Sequence, residues 1–296
     1  MKHIKALSAL LGTLVLLTTG CNSTPAVIGL QDTADGPTPT SQSAQQTITI
    51  IGASTPYPAL ELLADAYTKK AVGVEVIFLD SSQSGGGIEA VKEGFAEIGT
   101  VTRSPKPEEA DSQLTYQPIA KDGLLVGTHP SVTGVDNLTT QNLQDVYSGK
   151  VTNWKDLGGP DADIVVLDRA EDTSAKRLLR KYYLGDELEN APNAIMLNRE
   201  SGIIDALQTT PHSIGTLSLA KATTQSLPIN HISLNGVTPT ADSIDSGNYE
   251  MHRTLGIVWY KAPSETTQGF IDFIFSEAGS SALEAAGFAA MAKADS

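Results

Sequence analysis

Several loops in this chain place hydroxyl side chains or arginines where they could hold an anion. "IGASTPYP" carries Ser54 and Thr55. "SSQSGGGIEAVKEG" carries Ser84, followed by Gly85 and Gly86. "LDRAEDTSAKR" carries Arg169, Thr173 and Ser174, and "GTVTRSP" carries Thr102 and Arg103. The first turn of a helix has unpaired N–H groups and the positive end of the helix dipole, so a hydroxyl or amide there forms a generic anion site. Arginine adds a planar fork of donors that suits a tetrahedral oxyanion better than lysine does. For "SSQSGGGIEAVKEG" taken alone, two readings stand: a cradle for an anion, or an N-cap serine with a tight glycine turn.

Competing chemistries lack their residues. A nucleotide P-loop needs G-x-x-x-x-G-K-[ST], and no such lysine follows the glycines. The dinucleotide pattern fails because position 90 is Ala90 after Gly85 and Gly87. His129, His212, His231 and His252 are scattered, with no H-E-x-x-H spacing and no cysteine partner, so they read as surface or core histidines. "GAS" at Gly52 is not the G-x-S-x-G of a serine hydrolase. Asp161, Asp163, Glu171 and Asp172 read as solvated charges. No catalytic set, metal or cofactor is implied.

The elements that must position these loops alternate. "TITIIG" is β-branched and short, hence a strand. "PYPALELLADAYTKK" puts Leu60, Leu63, Ala64 and Tyr67 on one helical face. "VGVEVIFLD" is a second strand, "GGIEAVKEGFA" a helix with Ile88, Val91 and Phe95 at helical spacing, and "AEIGTVT" a third strand. This order predicts an α/β fold with a parallel sheet and right-handed crossovers. "QPIAKDGLLVGTHP" is a further extended run. The alternation then repeats: helix "TTQNLQDVYSGK", strand "ADIVVLD", helix "TSAKRLLRKYYL", short helix "ESGIIDALQTTP", strand "HSIGTLSLA". Leu227 to His252 is poorer in pattern. Strand "RTLGIVWYK" and two terminal helices close the chain, with Phe270, Phe273 and Ile274 inward. The loops that carry Ser54, Arg103 and Arg169 leave the carboxyl ends of strands, where open α/β sheets bind ligands, and Thr173 and Ser174 open the helix after one of them. That shared placement favours the anion cradle over the capped turn.

The amino-terminal end reads as an address. Lys2 and Lys5 precede the apolar "ALSALLGTLVLL" and the small residues "TTG", the pattern of an export signal over residues 1–20. Cys21 is the single cysteine of the 296-residue chain and cannot form an internal disulfide. Residues 21–45 are rich in Ser, Thr, Pro and Gln without apolar periodicity, as in a flexible tether. The roughly 250 residues beyond approach the limit of one hydrophobic core and predict two lobes. With Lys2 and Lys5 gone, 18 of the 20 Lys and Arg face 34 Asp and Glu, a net charge of −16 with His neutral. No basic tract interleaved with aromatics is present, which argues against nucleic acid as a partner.

These residues carry a family resemblance. "LTTGC" resembles the lipobox of bacterial lipoproteins, which implies lipidation at Cys21 and a membrane anchor. Beyond the tether, nearly the whole chain resembles the periplasmic phosphate-binding proteins of ABC transporters, the PstS-like solute-binding proteins. "LQDVYSGKVTNWKDLGGPDADIVVLDR" is similar to that family's F-S-G-K-I-T-N-W segment leading to a ligand arginine. "SQSGGGIEAVKEGFAEIGTVTR" is similar to its G-S-G-x-G-I … G … D-I-G … S-R, and "SIGTLSLA", "NYEMHRTLGIVWY" and "FIDFIFSEAGSSALEAAGF" follow in the family's order.

The resemblance implies a two-lobed class II periplasmic-binding-protein fold with a ligand cleft between the lobes. The lobes are expected at residues 46–124 with 255–296, and at 125–254. It implies a ligand set of Ser54, Thr55, Ser84, Gly85, Gly86, Glu97, Arg103, Arg169, Thr173 and Ser174. Pro56 has no N–H to give. Glu97 stands for a family aspartate that would accept the proton of hydrogen phosphate and repel sulfate. The chain departs from the pattern at Gln83, a glycine in the family, and at Thr173-Ser174-Ala175 in place of S-G-T. The expected function is a non-enzymatic, monomeric lipoprotein at the periplasm or cell surface that captures inorganic phosphate for an ABC permease complex. Its alternatives are another oxyanion or phosphorylated small molecule as ligand, or a phosphate sensor or surface interaction protein on the same fold.

Overall fold

The computed structural model describes residues 45–294. The expected signal, Cys21 and all but the last residue of the tether lie outside them. The chain starts with β1 (Gln46–Gly52), α1 (Tyr57–Thr68), β2 (Val74–Phe78), α2 (Ser84–Lys92) and β3 (Ile98–Val101). β1 pairs in parallel with β2 on one side and β3 on the other. Ile48, Ile50 and Ile98 are fully buried against Leu60 and Leu63 of α1. Phe95 departs from expectation: α2 ends at Lys92, and the ring sits beyond the helix, 71% exposed.

β4 (Leu114–Thr128) is the longest strand, with 15 residues. It leads into β5 (Asn137–Leu138), α3 (Thr140–Tyr147), a 3-10 turn at Trp154–Leu157, β6 (Val165–Asp168) and α4 (Ser174–Leu179). A single π turn continues α4 over Arg180–Leu184. Then come β7 (Ile195–Met196), α5 (Glu200–Thr209), β8 (Ser213–Ser218), α6 (Leu219–Thr224), β9 (Asn230–Leu234) and α7 (Ala241–Asp245). β6 and β8 are parallel, and β8 and β9 both run antiparallel to the second half of β4. Leu143, Val146 and Tyr147 of α3 pack here with Trp154, Leu167 and Ile214.

β10 (His252–Tyr260) runs back antiparallel to both β3 and the first half of β4, with a bulge between Leu255 and Gly256. α8 (Glu265–Ile274) and α9 (Glu277–Ala285) then cover β1, and β11 (Ala289–Ala290) pairs with β4. The strand order is β2-β1-β3-β10-β4-β8-β6-β7. Two separate main cores lie along this sheet. One gathers β1, α1, β10, α8 and α9, and the other gathers α3, β6, α5 and β8. β4 contributes Ile119 and Ala120 to the first and Leu124, Leu125 and Val126 to the second. This is the two-lobed periplasmic-binding architecture, with β4 common to both lobes.

Candidate functional site

The carboxyl ends of β1 and β6 face a cavity of about 810 Å³. From the first lobe it is lined by Ser54 and Thr55 at the entry to α1, by Glu61 and Asp65 farther along that helix, and by Gln83 before α2. From the second lobe come Arg169, Thr173, Ser174 and Ala175, then Asn198, Arg199, Glu200 and Lys221. Asp122 of β4, Arg253 of β10, Ser218 at the end of β8 and Thr224 of α6 complete its polar lining.

The β1 loop is held close to its neighbours. Gly52 has φ +139, and a Cβ there would lie 2.3 Å from the carbonyl oxygen of Thr100. The Ala53 amide donates to that same carbonyl at 3.0 Å. The chain then turns through Ser54 and Thr55 into α1, where Pro56 needs no acceptor for a missing N–H.

Arg169 follows β6 directly. Its amide donates to Asp168 Oδ1 at 2.8 Å, and Asp168 Oδ2 takes the Lys176 ammonium at 2.5 Å. Lys176 is fully buried and also donates to Asn190 Oδ1 at 2.9 Å. A buried charge pair of this kind fixes backbone because either partner left alone would be an uncompensated charge. The guanidinium of Arg169 is held only loosely, by Nη2 donating to the Asn198 carbonyl at 3.3 Å, and its Nε is buried with no partner. Burial pulls its pKa below the usual value, while the Glu200 carboxylate acts in the opposite direction. A half-buried guanidinium with unused donors is poised for an anion.

Thr173 reaches the cavity wall, but its hydroxyl serves the helix. It donates to the Ala170 carbonyl at 2.8 Å and accepts from the Lys176 amide at 3.2 Å. Ser174 lines the cavity beside it.

The remaining expected residues lie elsewhere. Ser84 is buried, and its Oγ accepts from the Thr102 amide at 3.1 Å, turned toward the end of β3. Gly85 and Gly86 do not line the cavity. A Cβ at Gly86 would stand 2.5 Å from Ser82 Oγ, and one at Gly87 2.9 Å from the Gly52 Cα. Gly86 is thus pressed against the Ser82 side chain and Gly87 against the end of β1, which accounts for these two glycines. Arg103 forks onto Glu109 at 2.6 and 2.7 Å, and this holds the Glu109 carboxyl at about 2. Its charge is thereby committed outside the cavity.

Glu97 also lies outside the cavity. It is exposed at the amino-terminal end of β3, where Oε2 accepts from the Thr49 amide at 2.7 Å. Ligands meet a strand at its carboxyl end, and Glu97 precedes the strand.

The floor of the cavity was not read from the sequence. Arg253 pairs with both Asp122 and Glu200, and Asp122 Oδ1 accepts from Ser218 Oγ at 2.8 Å. Glu200 Oε1 accepts from the Ser218 amide at 2.9 Å, and Oε2 meets the Lys221 ammonium at 2.6 Å. Burial pushes the Glu200 carboxyl up, but Arg253 and Lys221 outweigh it and hold it below its ordinary value. The signal in the sequence was a charge inside each of two apolar strands, in "IAKDGLLVG" and "MHRTLGIVWY". Such charges must pair when buried. Among the described residues no group of three His, Cys, Asp or Glu side chains could hold a metal ion.

Known proteins share this fold. A family model described as a PBP superfamily domain matches residues 37–278. The phosphate-binding protein PstS of Borreliella burgdorferi is 28% identical over 255 residues, which cover 83% of this chain and 91% of that protein. A Clostridium perfringens structure, described as a phosphate ABC transporter substrate-binding protein with bound phosphate, superposes with a TM-score of 0.67 at 28% identity. It covers 83% of this chain and 100% of its own. An ABC-type phosphate transport receptor from Vibrio cholerae gives a TM-score of 0.60 at 26% identity, over 82% and 99% of the two chains.

Proposed function

Since the chain belongs to the PBP superfamily, we propose that it is an extracytoplasmic lipoprotein, anchored through Cys21, that captures phosphate for an ABC importer. It acts as a monomer at the periplasmic or outer face of a membrane. Phosphate-binding relatives over most of the chain support this reading. The observation that carries it is the cavity itself: Ser54 and Thr55 face it from one lobe, Arg169 and Ser174 from the other.

Capture works through few but well-placed donors rather than net charge. The whole chain is acidic, yet the guanidinium of Arg169 keeps donors unused in a half-buried wall. A dehydrated anion bonded to such donors gains charge-assisted hydrogen bonds. Residues 125–254 would close on 46–124 and 255–296 by bending where β4 and β10 pass between the lobes. Closure would bring both sets of donors onto one ligand.

Isothermal titration tests this. The wild-type protein is expected to bind phosphate at one site, and Arg169→Ala to lose about 2–5 kcal/mol of binding free energy, because a buried charge loses its partner. Equal affinity in the variant would remove Arg169 from the site.

A further inference from the structure

We propose that Arg199 of the second lobe pairs with Glu61 and Asp65 of the first when the cleft closes, and that this ion pair is the latch that retains the captured ligand. The latch rests on the anion capture proposed above, and it governs release rather than recognition.

Glu61, Asp65 and Arg199 line the same cavity from opposite lobes. All three are exposed, and among the described residues none of them takes part in an ion pair. The other cations of this wall are engaged. Lys221 meets Glu200 at 2.6 Å, and Arg253 pairs with Asp122 and Glu200. Arg169 is the cation assigned to the anion. Among the described residues of the wall, Arg199 is therefore the one cation left to answer the two carboxylates.

Each partner stands where, unpaired, it costs stability. Glu61 and Asp65 are four residues apart on α1, so their carboxylates lie one above the other and repel. Arg199 holds the N-cap position of α5, makes no capping bond, and puts a cation at the positive end of the helix dipole. Bringing the lobes together relieves both repulsions at once. The two carboxylates also lie about 6 and 12 Å along α1 from its first residue, so pairing there leaves the hydroxyls of Ser54 and Thr55 to the anion.

Release of radiolabelled phosphate from the full mature protein, chased with unlabelled phosphate, tests the latch. Arg199→Gln should release about fivefold faster than wild type, the upper range for a partly exposed ion pair. Glu61→Gln with Asp65→Asn separates a latch from simple repulsion. Carboxylates that only repelled the ligand would slow release when removed, whereas the latch predicts release about fivefold faster. All three substitutions together should release no faster than Arg199→Gln alone, because they break one interaction. Unchanged or slower release in either variant, or effects that add in the combined one, would overturn the proposal. The positions are exposed, and unchanged melting temperatures check that the variants fold. A wild-type protein that retains no phosphate would fault the capture reading, and the latch with it.

Discussion

Arg103 and Arg169 show how one residue type at the ends of two strands reaches different fates. Arg103 has a carboxylate six residues away and forks onto it, while Arg169 has only a carbonyl at 3.3 Å. The Arg103–Glu109 pair has its own consequence for pH. Glu109 is held at about 2, below its unfolded value near 4.3. A carboxyl depressed in the folded state contributes stability that is present above the unfolded pKa and lost as pH falls toward the folded one. Glu109→Gln should therefore lower the urea midpoint at pH 7, with the gap to wild type closing between about pH 4.5 and pH 2. A gap that stays constant across that range would show that the pair contributes through packing alone.

At this scale the sequence shows residue types and strand ends, and Ser54, Thr55 and Arg169 were legible for that reason. Ser84 was less so, because the direction of a hydroxyl depends on a neighbour 18 residues later. Asp122 and Arg253 meet across 131 residues, and local sequence cannot show such a pairing.

Elements, more than single side chains, hold the site open to a ligand. The first turn of α2 lies against the end of β1 so closely that Gly87 has the Gly52 Cα, the Ile51 carbonyl and the Thr100 carbonyl within 3.0 Å of any added Cβ. Gly87→Ala should destabilise by about 1–3 kcal/mol in urea unfolding, the cost of overpacking against backbone that cannot yield. Full stability in that variant would mean that α2 can shift. On the other lobe, β6 and α4 are joined by Lys176 and Asp168 beneath Arg169. Lys176→Met leaves Asp168 as a buried charge without its cation and should cost about 3–5 kcal/mol. Lys155→Met, which breaks an exposed pair with Asp161, should leave the urea midpoint unchanged. Similar losses in both variants would contradict the role given to burial. The alternation of strands and helices was legible because the apolar periods differ. Glu97 lies off the cavity because it precedes β3, and motif spacing alone does not show which end of a strand a residue occupies.

The whole molecule turns on β4. This strand gives Ala120 to one core and Leu124 to the other, with Asp122 between them bonded to Arg253 and Ser218. Two cores joined through a shared strand and its antiparallel neighbour can bend with little loss of packing. Phosphate should lower the radius of gyration in small-angle scattering, and a saturable titration without any change would contradict hinge closure. The two-lobed organisation was visible from chain length and alternation, but the strand that joins the lobes was visible only as a long apolar run. The most direct measurement of the central claim is a crystal structure of the protein grown with phosphate. The phosphorus is expected in the cleft, with its oxygens in hydrogen-bond range of Ser54 or Thr55 on one side and Arg169 on the other. A phosphate bound without contact to Arg169, or a phosphate-saturated protein with this cleft lacking the anion, would contradict it.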